Sequence, residues 1–234
     1  MNYDKNKKYF RPKPSAKGVI IGVIVAIILF NISALWGVLA TLAVAALVYF
    51  LYFGKPSDAE IDAQAAAMLS DIRKRAFPKL GIEEEEVSLS TPLEFWGYEF
   101  KNVLTDDANR SAWNILGKDG CWRSCEVSIA GFYFSEDVVH YYWRTASLVS
   151  DAVKEGTEEY FYKDIVSVKT SSDDIEFKDP KTGKVVPGKR VQYEQFALRN
   201  SGGESTFCSV KSGSEVEAAV NAFRALLKQK KLQQ

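Results

Sequence analysis

The side chains best suited to chemistry are few in this chain. It contains three cysteines and one histidine, which are Cys121, Cys125, Cys208 and His140. Cys121 and Cys125 have a C-x₃-C spacing, but a tetrahedral metal site needs four ligands, and only Cys208 and His140 are left to complete the set. Nothing pairs with them locally, so the pattern predicts reduced, partly buried thiols rather than a metal site, and no cofactor.

Nucleophilic catalysis requires a base beside the nucleophile, and His140 is the one histidine available. It lies in the run Val138-Val139-His140-Tyr141-Tyr142-Trp143, where pairing between β-strands is the simpler explanation for it. We therefore predict that the protein is not an enzyme. The alternative is an active site that joins His140, Cys121 or Cys125 and a carboxylate from the strand ends.

Other motifs that could bind phosphate or calcium are incomplete. Gly183-Lys184 lacks the earlier glycine of a phosphate-binding loop, which makes it a turn. Asp107, Asn109 and Ser111 imitate the first half of a calcium loop. The sixth position is Ala112 instead of Gly and the twelfth is Lys118 instead of Glu, so the sequence predicts no calcium site.

A basic connection interrupted by proline supplies the candidate binding residues. Its cations are suited to anionic lipid headgroups, and they are Lys178, Lys181, Lys184, Lys189 and Arg190. A solvated loop is the competing interpretation, because the chain beyond residue 54 is acidic overall.

Charge is unevenly distributed along the 234 residues. Thirty basic and thirty acidic residues balance, yet residues 1–17 carry six cations against Asp4, and residues 18–54 carry no charge. The first seventeen residues form a basic N-terminal segment. The 47% hydrophobic content excludes a disordered chain, and neither charge nor motif indicates nucleic-acid binding.

The uncharged run predicts a transmembrane helical hairpin. It is too long for one pass, and its most polar point is Asn31-Ile32-Ser33, so two helices over about 18–30 and 34–53 are expected. Basic residues precede the first helix and follow the second, which places both termini in the cytoplasm under the positive-inside rule. We expect a multi-pass protein of the plasma membrane. A single pass, a re-entrant loop or a signal peptide are the alternatives.

The rest of the chain predicts an α+β domain. Ser57 and Glu60 form a capping box that starts an amphipathic linker helix over 57–77, which packing on the domain explains better than insertion in a bilayer. From residue 87 onward, alternating β-branched and aromatic residues predict about eight strands. A C-terminal helix over 213–231 follows. No βαβ alternation occurs, so an antiparallel barrel or sandwich closed by this helix is expected over 85–231.

The segment Glu159-Tyr160-Phe161-Tyr162-Lys163-Asp164-Ile165-Val166-Ser167-Val168 resembles bacterial pleckstrin-homology-like domains. An aromatic strand there leads through Asp164-Ile165 into a second alternating stretch. The Asn200–Gly203 turn and the terminal helix follow in the order of that family, over about 159–231. The resemblance implies a binding or scaffolding fold and no particular ligand.

Together these features predict a non-enzymatic, membrane-anchored protein. Its expected role is to hold a protein partner, a second copy of itself or anionic lipid headgroups at the bilayer. The alternatives are a structural subunit of a larger membrane complex and an enzyme with a site near His140.

Overall fold

The computed structural model describes residues 1–10, 16–52, 54–87, 90–100, 114–178, 185–211 and 214–233. Six α-helices and nine β-strands occur in these ranges. The helices are α1 (Tyr3–Phe10), α2 (Ala16–Ile32), α3 (Ala34–Tyr52), α4 (Asp58–Ala67), α5 (Ile72–Leu80) and α6 (Ser214–Leu232). The strands are β1 (Leu93–Tyr98), β2 (Asn114–Leu116), β3 (Trp122–Ser124), β4 (Glu126–Phe134), β5 (Val138–Ser147), β6 (Val153–Phe161), β7 (Ile165–Lys178), β8 (Val185–Asn200) and β9 (Ser205–Val210).

The strands form open antiparallel sheets. One sheet has the order β1-β4-β5-β6, a second has the order β7-β8-β9, and β2 and β3 pair separately. The α+β class and the antiparallel pairing that the sequence predicts are confirmed. Of the two expected arrangements, the closed barrel is wrong, whereas two sheets that share a core with α6 fit the sandwich. The two larger sheets approach each other where Lys211 N donates to Trp96 O over 2.8 Å. Gly97 permits this approach, since a Cβ there would lie 2.6 Å from the carbonyl carbon and oxygen of Ser209.

The four-stranded sheet is covered on both faces, which explains why every residue of β4 is buried. Alternate residues of β4 enter two different cores because side chains of a strand alternate between its faces. Phe132 belongs to the core shared with the three-stranded sheet and α6, where its ring lies 4.8 Å from that of Phe196. Ile129 belongs to the core shared with α1, α4 and α5.

Helices α4 and α5 replace the single linker helix predicted over 57–77. The capping box of Ser57 and Glu60 is present at the start of α4. The chain turns at residues 68–71, and α5 then continues through Pro78 to Leu80, beyond the predicted end of the linker helix at residue 77. Gly81 ends α5 in the left-handed region with φ 67°. Ile61 of α4 and Ile72 of α5 are both buried on the sheet.

The predicted transmembrane hairpin is the main correction. None of the helices in the described ranges is both long and apolar enough to cross a membrane. Helix α2 has 17 residues, and at 1.5 Å per residue it is about 25 Å long, against roughly 30 Å of hydrocarbon in a bilayer. The expectations of a multi-pass plasma-membrane protein with both termini in the cytoplasm are therefore wrong as well.

Candidate functional site: an apolar hairpin and its polar base

Helices α2 and α3 pack side by side as an antiparallel hairpin that turns at Ser33. Gly22 near one end of the pair faces Val44, and Gly37 near the turn faces Phe30. A Cβ on residue 37 would lie 2.6 Å from the Cα of Phe30, so only glycine permits the helices to approach this closely. The hairpin therefore has a tip at Ser33 and a base at its opposite end, where α2 begins and α3 ends.

Polar side chains near the tip bond to the hairpin's own backbone. Asn31 Nδ2 donates to Ile27 O over 2.9 Å, and Thr41 Oγ1 donates to Gly37 O over 2.9 Å. Both acceptors are carbonyls four residues earlier in the same helix. This is the arrangement that lets a polar side chain sit in a helix without water.

The surface of the hairpin is apolar on more than one side. Among the described side chains of α2 and α3, fifteen large hydrophobic ones are 45–72% exposed. They include Ile20 and Ile21, as well as Val23, Ile24 and Val25. Because helical residues are about 100° apart, such consecutive residues point in different directions. Single exposed hydrophobic residues are ordinary, but a contiguous apolar patch larger than a few hundred Å² marks an interaction surface.

Both ends of the hairpin are attached to the β domain. Before it, α1 buries Asn6, Tyr9 and Phe10. Asn6 Nδ2 donates to Leu148 O over 2.8 Å, although these residues are 142 positions apart. After it, α4 buries Ile61 in the same core. The segment that the sequence presents as a basic N-terminal tail is thus partly a docked helix.

A network of charged groups secures these attachments. The guanidinium of Arg123, on β3, is 2% exposed and makes paired hydrogen bonds of 2.6–2.9 Å to Asp62 of α4 and to Asp119. Tyr98 of β1 donates to Asp62 over 2.6 Å, and Tyr9 of α1 donates to Asp58 over 2.7 Å. One buried cation therefore links α4 and the β2–β3 hairpin, and α1 joins the same network through Asp58.

The network shifts the pKa values of its members. Burial would raise the pKa of Asp62, but hydrogen bonds from Arg123 and Tyr98 outweigh it and hold that pKa below its usual value. The hydrogen bond from Arg123 lowers the pKa of Asp119 well below its usual range. Burial, followed by the hydrogen bond to Asp58, raises the pKa of the Tyr9 phenol far above its ordinary value. The carboxylates are thus charged and the phenol neutral near neutral pH.

The lowered carboxylate pKa values predict acid sensitivity. As the pH falls, the unfolded chain binds protons before the folded protein does, because aspartates in an unfolded chain have a pKa of about 3.9. The stabilisation is complete above that value and is lost as the pH drops towards the folded-state pKa values. We expect Asp119→Asn to show a smaller loss of unfolding free energy between neutral pH and pH about 3 than the wild type. Equal losses, measured by urea unfolding at several pH values, would contradict this account.

His140 lies in a strand that is paired on both sides, as the simpler sequence interpretation predicts. It lies on β5 opposite Glu159 of β6, with Nδ1 2.9 Å from Glu159 Oε1. Its Nε2 is 3.2 Å from Ser135 Oγ. The order serine, histidine, carboxylate is that of a hydrolytic relay. The ring nitrogens contact Glu159 and Ser135 and no cysteine, so these contacts do not form the alternative active site that joins His140 with Cys121 or Cys125.

The Ser135 relay has the geometry of a turn rather than of a hydrolytic centre. The backbone amide of Ser135 is a natural first donor for an oxyanion hole, but it donates to Val138 O over 3.0 Å. The Ser135 hydroxyl contacts the same carbonyl at 3.0 Å. Glu136 and Asp137 follow in the turn, and their charges oppose the negative charge that develops on a substrate oxygen. The contacts are accounted for by closing the β4–β5 turn.

The structure describes some of the other residues singled out in the sequence. Cys121 is exposed, whereas Cys125 and Cys208 are buried, and burial raises the pKa of Cys125 to about 12. Lys178 is the last residue of β7, and Lys189 belongs to β8. Arg190 pairs with Asp174 at 2.5 Å. Lys181 and Lys184 lie outside the described residues, as do Asp107, Asn109 and Ser111, so headgroup binding by the basic connection stays a prediction.

The residues at the base were missed by the sequence interpretation. Asn6, Tyr9 and Arg123 have partners far away in the chain, which local spacing does not show. The available signal for docking was the aromatic pair Tyr9-Phe10 within the basic segment, because two adjacent aromatic residues are not typical of an exposed basic tail.

Comparison with known proteins adds nothing to these contacts. No protein-family model, curated protein or solved structure matches the chain.

Proposed function

We propose that the protein is a non-enzymatic binding protein that holds its β domain on a lipid surface through the α2–α3 hairpin. The observation that carries the proposal is the hairpin itself, which has no charged residue between 18 and 54 and exposes fifteen large hydrophobic residues among its described side chains. The hairpin inserts into one leaflet of the lipid bilayer and does not cross it. Both ends of the hairpin stay with the β domain, and the tip at Ser33 enters the acyl chains.

A lipid surface fits this hairpin better than a second copy of the chain. Two hairpins packed together cover one face of each and leave the opposite faces in water. A helix that is apolar all round requires apolar surroundings on every side, which acyl chains supply. The cations of residues 1–17 also favour an anionic lipid surface, whereas they repel the same residues of a second copy.

The experiment is flotation of the purified full chain with phospholipid vesicles on a density gradient, combined with a mass measurement in the absence of lipid. The proposal expects the protein to rise with the vesicles. Failure to float together with a stable dimer of defined mass would overturn it in favour of self-association. If the protein does not float and its mass without lipid is that of a stable monomer, the proposal is overturned outright.

A further inference from the structure

The base of the hairpin contains a cavity of about 310 Å³. It lies where α1, the segment after α3 and the start of α4 meet. Its lining residues are Asn2, Lys5, Asn6, Gly54, Lys55, Pro56, Glu60 and Gln64. A water molecule occupies about 30 Å³ of liquid, so the cavity has room for a phosphate group and a few waters but not for a whole phospholipid.

The lining of this cavity is polar and net positive. Lys5 and Lys55 are its two cations and Glu60 is its one anion. The Glu60 carboxylate is already engaged in the α4 cap, where its Oε2 accepts hydrogen bonds from Ser57 N at 2.6 Å and Ser57 Oγ at 2.9 Å. The lining therefore carries two cations and one anion, and the anion is held in the α4 cap.

The wall behind the lysines is fixed. Asn6 Nδ2 donates to Gln64 Oε1 over 2.8 Å, and Gln64 Nε2 donates back to Asn6 Oδ1 over 3.3 Å. Asn6 is 0% exposed and also donates to Leu148 O. This amide pair joins α1 to α4, and Lys5 is the residue next to Asn6. The cavity is therefore bounded by two docked helices.

The position of the cavity indicates the source of its ligand. It includes Gly54, two residues beyond the last residue of α3 and the first described residue after it, so it lies at the boundary between the apolar hairpin and the polar domain. In a lipid surface that boundary is the level of the headgroup phosphates.

We propose that this cavity binds the phosphate of an anionic phospholipid, with Lys5 and Lys55 contacting it. The inference rests on the proposed function and deepens it, because it names the class of lipid and the residues that select it. The hairpin supplies general affinity for acyl chains, and the cavity supplies preference for anionic headgroups.

The test compares the double variant Lys5→Gln/Lys55→Gln with the control Lys8→Gln/Lys74→Gln on vesicles rich in phosphatidylglycerol. Lys8 and Lys74 are exposed cations of α1 and α5 outside the cavity. Each basic residue near an anionic surface contributes about fivefold in binding, so the double variant is expected to bind roughly 25-fold more weakly. The control is expected to stay near the wild type, and on pure phosphatidylcholine all three proteins are expected to bind alike.

Several results overturn the inference while leaving the proposed function intact. One is wild-type binding by Lys5→Gln/Lys55→Gln, and another is an equal loss in the control, which indicates general charge attraction. A third is saturable binding of glycerol phosphate without lipid, because the source is then a soluble phosphate compound. If the wild type binds neither kind of vesicle, the proposed function itself fails. Unfolding curves for each variant show whether a loss reflects misfolding.

Discussion

Two carboxylates placed in the middle of the hairpin should abolish binding to lipid vesicles. Ile24 is 50% exposed on α2, and Leu39 is 48% exposed on α3. A charged residue at the centre of a helix in hydrocarbon costs about 2.5–3.5 kcal/mol. The variant Ile24→Asp/Leu39→Asp is therefore expected to bind at least about 1,000-fold more weakly than the wild type in vesicle flotation.

The matched control adds the same two carboxylates to exposed apolar sites of the β domain. Val166 on β7 is 60% exposed and Phe207 on β9 is 52% exposed, so Val166→Asp/Phe207→Asp changes net charge and surface polarity to a similar degree. We expect it to float with the vesicles as the wild type does. Equal losses in the two variants, or retained binding by the hairpin variant, would contradict the role given to α2 and α3.

Removal of the buried guanidinium is expected to have the largest effect on stability. Arg123→Met leaves Asp62, whose side chain is 26% exposed, without its cation. Breaking a buried ion pair by deleting one partner costs about 3–5 kcal/mol. We expect the free energy of unfolding, measured with urea, to fall by that amount. The docking of α4 should loosen with it, visible as faster amide hydrogen exchange in α4.

Arg190 offers the corresponding exposed pair. Its side chain is 67% exposed and its partner Asp174 is 42% exposed. Such pairs contribute about 0–1 kcal/mol, so Arg190→Met should change stability little. Combining Arg123→Met with Asp62→Leu should recover part of the lost stability, because the uncompensated carboxylate is then gone. If Arg123→Met is no more harmful than Arg190→Met, the network does not secure the base of the hairpin.

Local sequence signals predicted the hairpin's turn correctly, but the prediction that its helices cross a membrane is wrong. The polar Asn31 and Ser33 in an uncharged run indicate a break between two helices, and the chain turns at Ser33. The run of 37 residues, counted as sequence, was long enough for two short passes. The helices that form contain 17 and 19 residues. A helix must be both long enough and apolar enough to cross a membrane, and neither of these helices meets both conditions.

Alternation does not identify strand β6, which lies at the exposed edge of the four-stranded sheet. Strand β6 contains Lys154, Glu155, Glu158 and Glu159, and most of its residues are exposed. Its pairing with β5 is set by backbone hydrogen bonds and by contacts such as His140–Glu159. Strand β4 is buried on both faces and reads as a nearly continuous apolar run, which composition alone identifies.

The docked helix α1 shows why the base of the hairpin was not predictable. Its sequence holds three lysines in eight residues, which is typical of a solvated segment. The partners that fold it onto the domain are Asp58, Gln64 and the backbone of Leu148. These partners come from distant parts of the chain, so only the assembled fold reveals the docking of α1 and the cavity beside it.

Fluorescence of Trp36 tests insertion of the hairpin most directly. Trp36 follows the turn at Ser33 and is 58% exposed, and the signal of the other tryptophans can be subtracted with the variant Trp36→Phe. On vesicles whose acyl chains carry bromine, the emission due to Trp36 should be strongly quenched, and acrylamide in the water should reach it less than in lipid-free protein. A Trp36 signal that bromine does not quench, with acrylamide access unchanged by vesicles, would contradict insertion of the hairpin into lipid.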